Sequence, residues 1–107
     1  MVYSVAADVR RIINTSLPDA DLTSEIVLAD AEIDARNLSD LGANLLLNIS
    51  RFIVASYVAN RDPASGPVGE GSQAYRSPVE WRLLAERLIN AVSGLPFVTY
   101  NEPVNTS

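Results

Sequence analysis

The segment RDPASGPVGEGSQAYRSP, Arg61–Pro78, lies between two strongly apolar stretches and decides how the chain can fold. Its three prolines and three glycines prevent a continuous helix, because proline lacks an amide donor and glycine loses much backbone entropy on ordering. A connection this long is uncommon in a compact domain and tends to be functional, linking or disordered. We therefore predict an extended loop between two helices, used by something outside the helical core.

Composition predicts a single folded, soluble domain. The chain has 107 residues, of which 48% are hydrophobic, enough for one core but not for two. No apolar run approaches the ~20 residues that cross a bilayer, so no membrane association is expected. The opening MVYSVAADVRR places charge directly after a short apolar stretch, which is not the pattern of a signal peptide.

Cysteine, histidine and lysine are all absent. Their absence excludes disulfides, thiolate metal sites, Schiff-base chemistry and a classical catalytic triad. The net charge of −5 argues against an extended surface that follows nucleic-acid phosphates. We predict that the protein is not an enzyme and uses no cofactor.

Hydrophobic periodicity predicts two helices before the central apolar stretch. The first, about ten residues capped by Ser4, has an apolar face made by Val5, Val9, Ile12 and Ile13. The second is expected from about Asp19 to Arg36, with a buried stripe of Leu22, Ile26, Ala29 and Ile33. Its acidic residues Glu25, Asp30, Glu32 and Asp34 are expected mainly on the opposite, solvated side.

Two further helices follow. The third is expected from about Asp40 to Asn60, capped by Ser39, and it is apolar around most of its circumference. Part of that surface is therefore predicted to face another subunit. Ser77-Pro78-Val79-Glu80 has the pattern of a capping box with proline at the first helical position, and it opens the fourth helix.

The predicted fold class is all-α: a compact bundle of about four helices, with the long extended loop between helices three and four. Residues 1–94 form this domain, including the loop 61–78, and residues 95–107 form an extended C-terminal tail. The tail begins with LPFVTY, Leu95–Tyr100, which has strand-like composition but no evident partner strand.

Three patterns carry possible chemistry, and each has a simpler interpretation. Gly69–Ala74 matches G-x-G-x-x-A but lacks the preceding strand and following helix that give this motif its meaning. Asp30 and Asp34 lie one helical turn apart and could bind a hard cation, although a solvated acidic face is the more common arrangement. The aromatic side chains of Trp81 and Tyr57 fall on predicted core stripes rather than in a ligand site.

Arginine is enriched at protein interfaces and forms bidentate pairs with carboxylates. Arg51, Arg61 and Arg76 are therefore candidates for contact with a partner, and surface salt bridges within the chain are the alternative.

Four segments in this order resemble the head–tail connector (adaptor) proteins of tailed bacteriophages and related archaeal viruses. They are VRRIINTSLPDADL at Val9–Leu22, ADAEIDA at Ala29–Ala35, the apolar third helix ending in RDP at Arg61–Pro63, and PVGEGSQAY at Pro67–Tyr75. The last looks like that family's V-G-[acid]-x-S-x-x-Y loop. The resemblance spans about residues 4–93.

The resemblance implies a structural virion protein at the head–tail junction, assembled in the host cytoplasm. Such a subunit multimerises as a ring, commonly a dodecamer, beneath the portal protein and offers a platform for the stopper or tail. The ring extends the DNA channel, through which DNA passes without sequence-specific binding.

Two groups of site residues follow from the resemblance. The expected subunit contact in the loop comprises Arg61, Pro67, Val68, Gly69, Glu70, Gly71, Ser72, Gln73, Ala74, Tyr75 and Arg76. The expected portal-docking residues in the tail are Leu95, Phe97, Val98, Thr99 and Tyr100.

Two other functions are compatible with a small helical chain. One is a regulatory or DNA-binding module of viral or prokaryotic origin, which would need a basic recognition helix. The other is an accessory subunit of an enzyme, or a carboxylate enzyme that uses Asp30, Asp34 and a metal.

Overall fold

Four helices and one short antiparallel ladder make up the part of the protein that the computed structural model describes, residues 2–68 and 76–92. In chain order the elements are α1 Ala6–Arg10, β1 Ile13–Asn14, α2 Asp19–Ala35, α3 Ala43–Arg61, β2 Gly66–Pro67 and α4 Pro78–Val92. The all-α prediction and the order of the four helices are confirmed. No helix within the described residues is both long enough and apolar enough to span a bilayer.

Helix α3 is the centre of the domain and packs against the other three helices, most extensively against α4. Its exposed side chains lie in its first and last turns only, at residues 43, 44, 60 and 61. Its own domain covers much of its apolar surface, but Leu45 and Leu47 are only partly buried, so contact between α3 and another subunit stays a prediction. Trp81 of α4 is buried against α3, with its ring centroid 6.2 Å from that of Phe52, so the core interpretation of Trp81 is confirmed.

Helix α1 is half as long as predicted, since the chain leaves the helix after Arg10. Ile13 then pairs with Pro67, and Asn14 pairs with Gly66, in the β1–β2 ladder. The amide of Val68 extends this pairing by donating to the carbonyl of Ile12 at 3.0 Å. Ile13 is buried as a strand residue rather than as part of a helical stripe. Helical spacing alone could not reveal the distant partner.

The helix ends follow local chemistry, with two corrections. Helix α1 begins after Val5 and the Ser4 hydroxyl bonds to Ser50, so the prediction that Ser4 caps α1 is wrong. Helix α2 is followed by Asn37 at φ 59°, a left-handed position that asparagine tolerates and that commonly ends a helix. Helix α3 begins after Gly42, so the prediction that Ser39 caps it is wrong. Helix α4 begins at Pro78, directly after Ser77, as predicted.

Several predictions lie outside the described residues. Residues 69–75 contain the centre of the loop and the glycine pattern Gly69–Ala74. Residues 93–107 contain the predicted domain boundary and the portal-docking residues Leu95–Tyr100.

Candidate subunit interface

The first end of the predicted loop is anchored by Asp62. Its Oδ2 accepts hydrogen bonds from Thr15 Oγ1 at 2.6 Å and from the Ser16 amide at 3.3 Å, and its Oδ1 accepts from the Ala64 amide at 3.1 Å. The Thr15 hydrogen bond is the main cause that lowers the pKa of the Asp62 carboxyl, and the two amides add to it. The loop therefore leaves α3 already attached to the segment that follows β1.

Arg61, predicted to contact a neighbouring subunit, is paired within its own chain. Its Nη1 donates to Glu25 Oε2 at 2.7 Å, and its Nη2 lies 3.3 Å from Asp21 Oδ2. The Glu25 carboxylate is buried, so the expectation that it lies on a solvated face is wrong. Contact between Arg61 and a second copy stays a prediction, and it would involve a guanidinium that α2 already holds.

Pro67 and Val68 end the first described part of the loop. Pro67 is buried in the β1–β2 ladder, and the Val68 side chain is exposed. Pro67 could therefore contact another subunit only if the residues that now cover it moved away, whereas Val68 is accessible.

The second end of the loop is fixed to α4. The Arg76 guanidinium carbon lies 4.6 Å from the centroid of the Trp81 ring, a cation–π geometry. The Ser77 amide donates to Glu80 Oε1 at 2.7 Å, and Ser77 Oγ accepts from the Glu80 amide at 3.2 Å. This reciprocal pair is the predicted capping box, and it lowers the pKa of Glu80. Residues 69–75 thus connect two ends that are each held by described side chains.

Charged side chains join one edge of α2 to α4. Arg82 Nη1 donates to Glu32 Oε2 at 2.6 Å, and Nη1 and Nη2 of Arg36 donate to Glu86, at 2.8 and 2.9 Å. The hydrogen bonds to Arg36 lower the pKa of Glu86. Tyr57 of α3 also donates to Glu32, at 3.1 Å. These groups fix the position of α4 beside α2.

The candidate cation ligand Asp30 is buried and used by its own chain. Its Oδ1 accepts from Ser50 Oγ at 2.7 Å, and its Oδ2 accepts from the Tyr3 amide at 2.9 Å. Because Ser50 donates to Asp30, the 2.6 Å contact between Ser4 and Ser50 has Ser4 as the donor. The expectation that Asp30 is solvated is therefore wrong, since α3 supplies a hydroxyl that the sequence of α2 could not indicate.

Asp34, the other candidate ligand, accepts a hydrogen bond from the hydroxyl of Tyr3. This bond is the main cause that raises the pKa of Tyr3 to about 12. Among the residues that the structure describes, no group of three acidic side chains is placed to hold a metal ion.

An apolar groove, here called the α2 groove, runs between the N-terminal segment and α2. Its volume is about 480 Å³. One wall comprises Val2, Val5 and Ala6, and the other follows α2 through Val27, Ala31 and Asp34. Val27 is 62% exposed and its neighbour Leu28 is 59% exposed. Helix α2 thus buries one apolar face in the core and presents a second to solvent.

A second exposed apolar surface lies on α4. Val79 and Leu83, one turn apart, are 73% and 46% exposed. Arg87 continues the same line by one further turn and is exposed, with no carboxylate paired to it within the described parts of the chain. We call Val79, Leu83 and Arg87 the α4 stripe. It faces away from Trp81 and the core.

No family model, curated protein or solved structure matches this chain. The exposed surfaces of α2 and α4 were missed at the level of sequence. The signal was nevertheless present, because Val27, Leu28 and Ala31 are apolar positions outside the stripe that α2 buries.

Proposed function

We propose that the protein is a structural subunit of a viral head–tail connector, which assembles as a ring between the portal protein and the tail. The observation that carries the proposal is the pair of exposed apolar surfaces, the α2 groove and the α4 stripe. Val27, Val79 and Leu83 lie outside the core that the described residues form. A monomer gains nothing from exposing such side chains, whereas a subunit buries them on assembly.

The loop supports the same function. Both of its ends are held by the domain, through Asp62 and the β1–β2 ladder on one side and through Arg76 and Ser77 on the other. Fixed ends allow the intervening residues to reach a neighbour without loosening the helices. We propose that residues 68–75 contact the adjacent subunit, and that Leu95–Tyr100 contact the portal.

The polar groups are consistent with a structural role. Within the described residues, the buried carboxylates of Glu25 and Asp30 and the buried hydroxyl of Ser50 are bonded to groups of their own chain, as a structural role requires. Four of the arginines form ion pairs with carboxylates of their own chain, Arg10, Arg36, Arg61 and Arg82. A recognition helix for DNA would need such cations free to bind phosphate.

The net charge of −5 fits the proposed position around a DNA channel. Acidic surface repels phosphate, and so the DNA can move through the ring without being retained. We propose a dodecamer, on the basis of the family resemblance, with a stopper or tail-completion protein bound to the opposite side from the portal.

The test is assembly with a portal ring, measured by mass photometry. The portal protein to use is the one encoded in the same genome as this chain, and an unrelated portal protein is the control. We expect a ring of this protein to bind to the cognate portal and not to the unrelated one. A chain that ignores the cognate portal at every concentration would contradict the proposed function.

A further inference from the structure

We propose that the α4 stripe of one copy lies in the α2 groove of the next copy, and that this contact, in addition to that of the loop, joins identical subunits. The contact deepens the proposed ring function and, to that extent, rests on it. The occupant of the groove is therefore a second copy of this chain, identified by matched spacing and charge.

The two surfaces have similar lengths and complementary shapes. Along α4, Val79 to Arg87 spans eight residues, which is about 12 Å at the helical rise. Along α2, Val27 to Asp34 spans seven residues, about 10.5 Å. The small side chain of Ala31 lies between the ends of the groove wall and leaves room for the larger Leu83, as a ridge of one helix fits a groove of another.

Charge fixes the direction of the contact. With the two helices parallel, Val79 lies against Val27, Leu83 lies over Ala31, and the exposed guanidinium of Arg87 meets the carboxylate of Asp34. In the antiparallel direction, placing Arg87 beside Asp34 would carry Val79 beyond the end of α2 and leave Val27 uncovered. The parallel direction therefore satisfies the apolar pair and the ion pair together.

The contact joins two different surfaces, so it is head-to-tail. A head-to-tail contact repeats from copy to copy and closes into a ring when its rotation allows. The surfaces do not compete within one molecule, because Val27 lies about 140° around α2 from Glu32, the edge that holds α4. Each copy can thus donate its α4 stripe and accept another at the same time.

The experiment uses two full-length variants that each lose one surface. Val27→Glu places a charge in the groove, and Leu83→Glu places one in the stripe. Both positions are exposed, and retained helical circular dichroism confirms folding. Leu28→Glu is the matched control, since Leu28 is exposed on the same helix but does not line the groove.

By sedimentation velocity, we expect the wild-type chain and Leu28→Glu to associate with increasing concentration, whereas Val27→Glu and Leu83→Glu each stay monomeric. An equimolar mixture of the two monomeric variants should form a one-to-one dimer and nothing larger, because each supplies the surface that the other has lost. Arg87→Glu should weaken association about fivefold, an effect reduced by salt.

Three results would overturn the contact: a wild-type chain that is monomeric at every concentration, a mixture that forms no dimer, or a Leu28→Glu variant as defective as Val27→Glu. The portal experiment separates this contact from the function. If all variants still assemble on the portal, the contact is wrong and the connector function stands. If the contact is correct but no portal is bound, the connector function is wrong.

Discussion

At the scale of single residues, the hydroxyl of Ser50 joins three segments by accepting from Ser4 and donating to Asp30. We predict that Ser50→Ala lowers the free energy of unfolding by about 1–3 kcal/mol, since it leaves a buried carboxylate oxygen and a buried hydroxyl without a partner. Urea unfolding measures this change.

The matched control for Ser50→Ala is Ser24→Ala. Ser24 is also in the interior of a helix, but its hydroxyl is exposed and donates to the carbonyl of Ala20. Ser24→Ala therefore raises helix propensity by the same amount as Ser50→Ala but removes no buried hydrogen bond. It should change the free energy of unfolding by less than about 0.5 kcal/mol. Equal stability of the two variants would show that the Ser4–Ser50–Asp30 chain contributes nothing.

Asp62 gives a prediction about pH. Its hydrogen bonds lower the pKa of the folded carboxyl below the ordinary value of about 4. The stabilisation is therefore fully present above that ordinary value and is lost as the pH falls through the folded value. Thr15→Val, which removes the largest cause, should move the pKa of Asp62 upward, as measured by NMR titration of its carboxyl carbon.

Asp62→Asn isolates this residue from the other carboxylates that titrate in acid, such as Glu80 and Glu86. We expect it to be less stable than wild type near neutral pH and to lose less stability on acidification. If wild type and Asp62→Asn lost stability equally as the pH fell to the acid transition, Asp62 would have no role in anchoring the loop.

At the scale of secondary-structure elements, the start of α4 depends on its capping box. Ser77→Ala removes the acceptor for the Glu80 amide, and we predict a loss of about 1 kcal/mol in the free energy of unfolding. Hydrogen exchange should be faster in the first turn of α4. Ser39→Ala is the control, because α3 begins only after Gly42, and it should be nearly neutral.

The same elements show which features could be predicted from sequence. The Ser77–Glu80 cap, the span of α2 and the burial of Trp81 depend on residues within one or two helical turns, so local patterns revealed them. Ile13 was assigned to a helix, because its strand partner Pro67 lies far along the chain. Asp30 was assigned to solvent for a similar reason, since burial requires Ser50 from another helix.

In the candidate interface, too, only the features that depend on nearby residues could be predicted from the sequence. The two ends of the loop were located by their prolines and by the cap, but the α2 groove requires knowing which side of α2 faces α3. Once Leu22, Ile26 and Ile33 are placed in the core, Val27 and Ala31 must face outward. Helical periodicity alone gives the stripes without saying which of two apolar faces the domain itself covers.

At the scale of the whole molecule, the loop and the helical domain should be separable. We predict that replacing residues 69–75 by seven glycine and serine residues leaves helical circular dichroism nearly unchanged. The replacement keeps the hydrogen bond of the Val68 amide to Ile12 and the contact of Arg76 with Trp81. The same replacement should abolish ring formation on the portal, measured by mass photometry.

A shuffled loop with the same composition and length is the control for the side chains of that segment. If the shuffled loop assembles normally, the loop acts only as a spacer. Loss of the helical signal on replacement would instead place the loop within the core.

The β1–β2 ladder has a consequence for the order in which the molecule folds. Ile13 and Pro67 can meet only after the intervening chain, which contains α2 and α3, has been brought together. Closing so long a loop costs conformational entropy before the paired residues gain any favourable contact. We therefore expect this ladder to form late in folding. The first end of the loop would then take its final place only after the helices have packed.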